Sequence, residues 1–524
     1  MTDLVNVTID GVAIAVPKGT TIIEAAKQAG VLVPHYCYHP SLPSPAVCRM
    51  CLVDVEKAPK LMPACVTTVA EGNVINVNNE KSKKARESVL EFLLINHPLD
   101  CPICDQAGEC ELQNYVFQEG RAETRYADYA KRFNPVEDFG PDILYVPNRC
   151  ILCTRCVRFM ENVADEPVLN VSERGDRAYI GIDPAHELTH PWSGNVVDLC
   201  PVGSLISKDF LHKARAWDLD KTASICPGCT QGCNIMIDTR DDIVVRLRPR
   251  ANLEVNRHFI CDTGRADYRW MNRGDRIEAP LTRRSALGTR HSAVGWDEAL
   301  GEFAEYVVAA KSVVILASGR ASTESLGWVR RLVDGSPKVV AAVKVPTGPE
   351  AALAGIPNLA LRAERVPNLH GAQLTGYSTE WTAAVAASKT ADLTIVLDAE
   401  LTDPEVAALG AKTVVIGTVD DERFPGVALV LPTTNLAEEN GSYVNRDHRA
   451  QRYFQAKSAP GMARPAWWIA TEAIQIISGV TSPATAAEAF AALGRSVPAL
   501  AGLTYSELGH TGRAISPAAA GAAR

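Results

Sequence analysis

The sequence predicts a multidomain protein, α+β in its first half and α/β in its second. Three observations predict it. The chain has 524 residues, 47% hydrophobic and 22% charged, room for two to four ordinary folded domains. All fifteen cysteines fall between residues 37 and 261, most at CxxC-type spacings. Beyond residue 275 short aliphatic runs alternate with helical stretches, which argues for a mainly parallel sheet layered with helices.

Val5, Val7 and Ile9 alternate with polar residues, Asp10-Gly11 follows, and apolar residues resume from Ala13 to Val16. That is a hairpin with a two-residue turn, because Asp-Gly accepts positive φ. Thr21-x-x-Glu24 reads as a capping box opening a helix that ends at Gly30. Hairpin, helix and then a long cysteine loop is the order of a β-grasp ferredoxin. The loop carries Cys37, Cys48, Cys51 and Cys65, spaced C-x10-C-x2-C-x13-C. The plant-type [2Fe–2S] pattern starts more tightly, C-x4-C-x2-C. Two ferric ions bridged by two sulfides leave four positions for thiolates. A structural zinc site with four cysteines fits the same residues.

Next come Cys101, Cys104 and Cys110, one ligand short of four, with His97 four positions ahead. The deficit favours coordination by His97; Asp100, Asp105 or a missing fourth iron are the other ways to meet it. A neutral imidazole in place of a thiolate raises a cluster's potential. Cys150-x2-Cys153-x2-Cys156 is the bacterial-ferredoxin triad, but Met160 stands where the adjacent fourth cysteine would fall. The completing Cys-Pro is Cys200-Pro201, after a 43-residue excursion. This supports one [4Fe–4S] cluster. Cys226, Cys229, Cys233 and Cys261 form a fourth set, beside strand-like Ile235–Asp238 and Ile243–Leu247. With His97, the fifteen cysteines sort into four quartets with none left over.

In the cysteine-free half, Val313–Ala317, Leu393–Leu397, Val414–Ile416 and Val427–Leu431 read as buried strands, and Thr323–Val333 and Pro404–Leu409 as helices. There is no GxGxxG and no GxxxxGK[ST]. Ser318-Gly319-Arg320 is either a plain strand–helix turn or an anion site at a helix start. From about Thr481 the chain is Ala-rich, read as a weakly packed helix and a loose tail. The net charge of -8 argues against nucleic-acid binding. No apolar run approaches the roughly 18–20 residues of a membrane helix, so no direct membrane insertion is expected. The opening residues, MTDLVNVTID, show no secretion signal, and an odd cysteine count without one reads as metal ligation, not disulfides.

The strings His97-Pro-Leu-Asp-Cys-Pro-Ile-Cys-Asp, Gly108-Glu-Cys-Glu-Leu-Gln113, Asn148-Arg-Cys-Ile-Leu-Cys-Thr-Arg-Cys-Val-Arg-Phe159 and Cys200-Pro-Val-Gly203 resemble the large iron–sulfur subunit family of bacterial respiratory complex I. More weakly, Pro280-Leu-Thr-Arg283, Gly295-Trp-Asp-Glu-Ala-Leu300 and Glu439-Asn-Gly-Ser-Tyr-Val-Asn445 resemble a shortened molybdopterin-oxidoreductase-like α/β domain. The resemblance implies a [2Fe–2S] ferredoxin-type domain over 1–80, with its cluster on Cys37, Cys48, Cys51 and Cys65. It implies a [4Fe–4S] domain over 81–120, on His97, Cys101, Cys104 and Cys110, and a ferredoxin-like [4Fe–4S] domain over 140–218, on Cys150, Cys153, Cys156 and Cys200. A third [4Fe–4S] domain, over 219–275 on Cys226, Cys229, Cys233 and Cys261, matches one that some members carry. The α/β domain would span 276–480 and the Ala-rich tail 481–524. No pterin or molybdenum is expected, since no cysteine follows 261. The implied function is electron relay in a proton-translocating NADH:quinone oxidoreductase, from NADH through FMN to quinone, with no catalytic acid, base or nucleophile on this chain. The implied partners are the FMN/NADH-binding subunit and the quinone-module iron–sulfur subunits, in a peripheral arm on the cytoplasmic face of the bacterial plasma membrane. The alternatives are an electron-transfer subunit of a soluble NAD-linked hydrogenase or formate dehydrogenase, and a zinc-stabilised scaffold.

Overall fold

The alternation at the start of the chain folds as the hairpin it predicts. β1 (Leu4–Ile9) and β2 (Val12–Pro17) pair antiparallel, from Leu4 opposite Pro17 to Ile9 opposite Val12. Asp10 and Gly11 take φ of 46° and 84°, the positive values a type I′ turn demands. The computed structural model describes residues 3–128, 131–282, 292–410, 412–419 and 427–516. It resolves into two units: Met1–Leu219 with Leu353–Pro357, and Asp220–Ala352 with Asn358–Arg524.

In the first unit α1 (Ile22–Gln28) follows the hairpin, and β3 (Leu52–Val55), β4 (Met62–Pro63) and β5 (Asn73–Asn76) complete a five-stranded sheet ordered β2-β1-β5-β3-β4. β5 runs parallel to β1, and α1 buries Ile22, Ile23, Ala25 and Ala26 against the sheet core of Val5, Val7, Ile9, Val53 and Ile75. The capping box is not formed. Thr21 is the N-cap by backbone geometry, but its hydroxyl is enclosed without a partner, and Glu24 instead accepts from the Tyr38 hydroxyl. α2 (Glu80–Leu94) is capped by Asn79, whose side chain accepts from Ser82 N–H, and α3 (Glu111–Glu119) packs on it. Then come β6 (Glu137–Asp138), β7 (Ile143–Tyr145), α4 (Arg155–Asn162), the hairpin β8 (Leu169–Ser172) and β9 (Tyr179–Ile182), α5 (Asn195–Leu199) and β10 (Leu205–Ser207). β10, β7 and β6 form one small sheet.

The second unit opens on an antiparallel meander, β11 (Asp220–Ile225), β12 (Asn234–Arg240) and β13 (Ile243–Pro249), followed by the short α6 (Asp262–Ala266). After β14 (Leu281–Thr282) and β15 (Ser292–Ala293) come α7 (Trp296–Ala309), β16 (Ser312–Ser318), α8 (Thr323–Leu332) and β17 (Lys338–Lys344). The pair β18 (Ala351–Ala352) and β19 (Ala360–Leu361) leads to β20 (Leu393–Leu397), β21 (Thr413–Gly417) and β22 (Leu429–Pro432). The main sheet is ordered β15-β14-β22-β21-β20-β16-β17, and β22 through β17 are parallel. The expected strands and the helix at 323–333 are therefore present, with ends moved by one or two residues. The parallel strands bury Val313, Ile315, Leu393, Ile395, Val414 and Ile416 under α7, α8 and the helix Ala466–Ser478. Burial on both faces is why they read as continuous apolar runs without alternation.

The segment after 481 is not loose as far as 516. Its helix Ala486–Leu493 buries Phe490 and Leu493 completely, Leu500 is equally buried, and the Trp328 indole N–H donates to the Ala489 carbonyl at 3.1 Å. Ala489 packs there as a small core residue, while Ala484, Ala487 and Ala491 face outward. Residues 517–524 and Arg283 of the Pro280–Arg283 string lie outside the described residues. Among the described residues no helix is long and apolar enough to cross a membrane.

Candidate iron–sulfur sites

The four cysteine loops differ in burial and in how close their sulfurs lie. In the first set the Cys37 N–H approaches the Cys48 sulfur at 3.5 Å. The thiols of this set perturb one another's ionisation, Cys37 that of both Cys48 and Cys65, and Cys65 that of Cys51. The loop achieves this through left-handed residues, Ala46 at φ 54° and Arg49 at 59° on either side of Cys48. Such conformations strain an ordinary residue and persist where the surroundings enforce them.

The third set is built from a tight curl. Leu152 and Thr154 take φ of 52° and 59°, and the reversed backbone aims the Leu152 N–H at the Cys150 sulfur, 3.4 Å away. Cys156 lies in the first turn of α4. Cys200, at the end of α5, has its sulfur facing the N–H groups of Val202, Ser204 and Leu205. Cys150, Cys153, Cys156 and Cys200 together line one small cavity, which Arg155 also lines. Burial pushes the Cys150 thiol up to about 11 and the thiols of Cys153 and Cys156 higher. Enclosed thiols resist ionisation unless a cationic centre takes the charge.

The fourth set lies in the second unit. Cys226, Cys229 and Cys233 occupy the β11–β12 connection, closed by a 2.8 Å bond from Cys226 N–H to the Cys233 carbonyl. Cys261 is the N-cap of α6 and accepts from the Gly264 N–H at 3.3 Å. Gly264 lets two of these sulfurs meet, since a Cβ there would lie 2.8 Å from the Cys226 sulfur and 3.3 Å from that of Cys261. All four are buried, and desolvation lifts Cys261 to about 12.

The second set is the most open. Cys101 is the one exposed cysteine, whereas Cys104 is buried and Cys110 is the N-cap residue of α3 by backbone geometry, with no side-chain cap bond. Desolvation lifts Cys110 to about 11. His97 follows α2, its Nδ1 enclosed without a partner among the described residues, and desolvation holds the imidazole down at about 4, hence neutral. The other two candidates for the missing ligand are already engaged. Asp100 accepts from Arg149 Nε at 2.9 Å, and Asp105 from the His212 N–H at 3.1 Å. Among the described residues, no three His, Cys, Asp or Glu side chains converge as the ligands of a single metal ion do. An iron–sulfur cage spreads its ligands over several metals.

Three features went unnoticed in the sequence. The third set touches both of its neighbours in the first unit: a Cβ on Gly203 would collide with the Cys104 sulfur, and Arg158 Nη2 donates both to the Cys37 carbonyl at 2.5 Å and to the Cys153 carbonyl at 3.2 Å. Arginines bracketing the cysteines in the string from Asn148 to Phe159 were the available signal. A cavity of about 950 Å³ opens at the carboxyl ends of β16, β20 and β21, where the strand order reverses. Open α/β sheets place ligands at that point. Four of its five cations pair with carboxylates: Arg273 with Asp275 at 2.5 Å, Arg276 with Glu438, Arg320 with Asp267 at 3.2 Å and Lys344 with Glu405 at 2.8 Å; Arg365 donates to the Arg362 and Pro349 carbonyls. Ser318 and Arg320 of the Ser318-Gly319-Arg320 turn thus form part of a cavity wall.

The sequence matches five domain families along its length. They are a 2Fe-2S iron-sulfur cluster binding domain (2–80), an NADH-ubiquinone oxidoreductase-G iron-sulfur binding region (86–125), and the ferredoxin-like domain of NADH-quinone oxidoreductase subunit 3 (140–206). A molybdopterin oxidoreductase Fe4S4 domain (219–273) and a molybdopterin oxidoreductase domain (308–475) follow. The chain thus carries 2Fe-2S and 4Fe-4S binding domains ahead of a molybdopterin oxidoreductase domain. Along part of its length it is similar to iron–sulfur subunits of NADH-quinone and NADH-ubiquinone oxidoreductases. It is 40% identical to an NADH-quinone oxidoreductase subunit from Rickettsia bellii over 325 residues, 62% of this chain and 47% of the relative. It is 43% identical to the mitochondrial 78 kDa subunit of NADH-ubiquinone oxidoreductase from Candida albicans over 301 residues, 57% of this chain and 41% of the relative. To the NADH-quinone oxidoreductase counterpart from Streptomyces coelicolor it is 38% identical over 325 residues, 62% and 38% of the two chains. The matched stretch therefore spans less than half the length of these relatives.

Proposed function

We propose that the chain relays electrons within an NADH:quinone oxidoreductase of the complex I type. In this reading Cys37, Cys48, Cys51 and Cys65 hold one [2Fe–2S] cluster. His97/Cys101/Cys104/Cys110, Cys150/Cys153/Cys156/Cys200 and Cys226/Cys229/Cys233/Cys261 hold one [4Fe–4S] cluster each. The clusters supply one-electron carriers. The observation that carries the reading is the contact of the third set with both the first and the second, through Arg158 and Gly203. It supports an order first, third, second for electrons that originate at NADH and a flavin-bearing partner and leave for a quinone-reducing module. The assembly would be a peripheral arm on the cytoplasmic face of a bacterial membrane. The α/β domain would hold no pterin or molybdenum.

The protein's own part is burial, spacing and hydrogen bonding. Buried thiols exclude water, and N–H groups such as those of Leu152, Val202 and Gly264 stabilise negative charge on sulfur, which tunes a cluster's potential. His97 is supported as the second set's fourth ligand by its partnerless Nδ1 and by the engagement of Asp100 and Asp105. Anaerobic metal analysis with low-temperature EPR of the dithionite-reduced protein tests the reading. It predicts about 14 irons per chain, two in the first set and four in each of the others. Stoichiometric zinc with no EPR signal overturns it. Co-purification with a hydrogenase large subunit in place of a quinone module transfers the relay to the soluble class.

A further inference from the structure

Arg149, Arg155 and Arg158 belong to one short stretch and are buried in the first unit, at 7%, 4% and 8% exposure. Burying a guanidinium is costly unless its charge and its donors are matched. Each of the three donates hydrogen bonds across a boundary between sulfur sets. Arg149 reaches the second set through Asp100 at 2.9 Å. Arg158 reaches the first through the Cys37 carbonyl at 2.5 Å. Arg155 reaches all the junctions. Its Nη2 donates to the carbonyl of Tyr38, beside Cys37, at 2.8 Å. Its Nη1 donates to the carboxylate of Glu111, beside Cys110, at 3.2 Å, and to the carbonyl of Leu199, beside Cys200, at 3.3 Å. Its Nε is enclosed with no partner among the described residues, Arg155 is among the residues lining the cavity shared by Cys150, Cys153, Cys156 and Cys200, and its charge acts on the thiols of Cys153 and Cys200. The pairing carboxylate of Glu111 is 40% exposed, against 5% for Arg155, so water screens the anion more than the cation.

We propose that Arg155 is a positioning residue that sets the potential of the cluster held by the third set, by fixing a positive charge and an unclaimed N–H against its cavity. The proposal rests on the electron-relay reading. An electron arriving beside a fixed cation is stabilised. One unit charge about 10 Å away, at an effective dielectric of about 20, alters such an equilibrium roughly tenfold or more. An N–H directed at cluster sulfur acts in the same direction. The same guanidinium ties Tyr38, Glu111 and Leu199 into one frame, which keeps the three sets of the first unit in register.

The test is an EPR-monitored redox titration of the intact complex carrying Arg155→Gln, Arg155→Lys or Glu111→Gln. Arg155→Gln is expected to lower the third-set potential by about tenfold in the reduction equilibrium, which is 59 mV for one electron. Arg155→Lys restores most of it. Glu111→Gln shifts the potential upward, because the guanidinium loses its counter-charge; general loosening of the fold would not give opposite signs. A fully iron-loaded Arg155→Gln complex whose third-set equilibrium moves less than about twofold overturns the proposal. So does a downward shift in Glu111→Gln. If Arg155→Gln fails to retain the third cluster, the Lys and Glu111 variants decide by the same signs. Absence of any iron–sulfur signal in the unsubstituted complex sinks the relay reading instead, so the two failures are distinguishable.

Discussion

Gly264→Ala offers a steric test of the fourth set. The added Cβ would lie 2.8 Å from the Cys226 sulfur and 3.3 Å from the Cys261 sulfur, whereas ordinary van der Waals contact begins at 3.4 Å. The Cys226 sulfur must therefore retreat by at least 3.4 − 2.8 = 0.6 Å. Metal–ligand distances tolerate about 0.2 Å. Overpacking of this kind costs about 1–3 kcal/mol, offset by about 1 kcal/mol because alanine favours helix over glycine. Gly264 lies within α6 with no positive φ, so the backbone accepts alanine. The variant is expected to fold with the first three sets intact and to lose the fourth, about four irons per chain, with one EPR signal missing. Gly274→Ala, where nothing lies within 4 Å, is the control. A Gly264→Ala protein with full iron and an unaltered fourth-set signal would refute the argument that this glycine is what brings the two sulfurs together.

His97→Cys is expected to keep a cluster in the second set but to lower its potential, since a thiolate adds negative charge; an unchanged potential in a redox titration counts against His97 as ligand. Burial pushes both Glu439 and Glu324 up to about 7 from 4.5. The folded chain then keeps protons that the unfolded chain releases, so this contribution to stability is full below about pH 4.5 and is lost as the pH rises through 7. Glu439→Gln, neutral throughout, should flatten that decline by on the order of 3 kcal/mol, read from urea midpoints at about pH 5 and about pH 8; an undiminished slope rejects the assignment. Thr21→Ala should cost less than about 0.5 kcal/mol in a thermal melt, because its hydroxyl makes no cap bond; a loss near the ~1 kcal/mol of a working cap would restore the capping box.

What the sequence made legible is what depends on neighbours along the chain. The Asp10-Gly11 turn and the apolar runs of β16, β20 and β21 are local patterns. Thr21-x-x-Glu24 failed for a non-local reason: the Glu24 carboxylate is claimed by Tyr38, fourteen residues away. The Ala-rich segment was misread because composition does not reveal that Phe490 and Leu500 have a core to enter. The wiring around the cysteines was the least legible. Arg158 meets the Cys37 carbonyl across 121 residues, and backbone carbonyls carry no residue identity for a pattern to register. The cavity in the second unit was hidden likewise, because it is made by the ends of strands and not by a motif.

The accessible position of Cys101 has a practical consequence. Leu99 and Ile103 beside it are 89% and 62% exposed, an apolar rim around a reactive sulfur. Oxidation climbs from sulfenic to sulfonic acid fastest where a thiolate meets solvent, and an oxidised sulfur no longer ligates. Damage in air should therefore begin at this corner and strip the second set first, while the enclosed cysteines of the fourth set survive. The ageing of a preparation would then be readable as an ordered sequence of losses, starting from a single side chain.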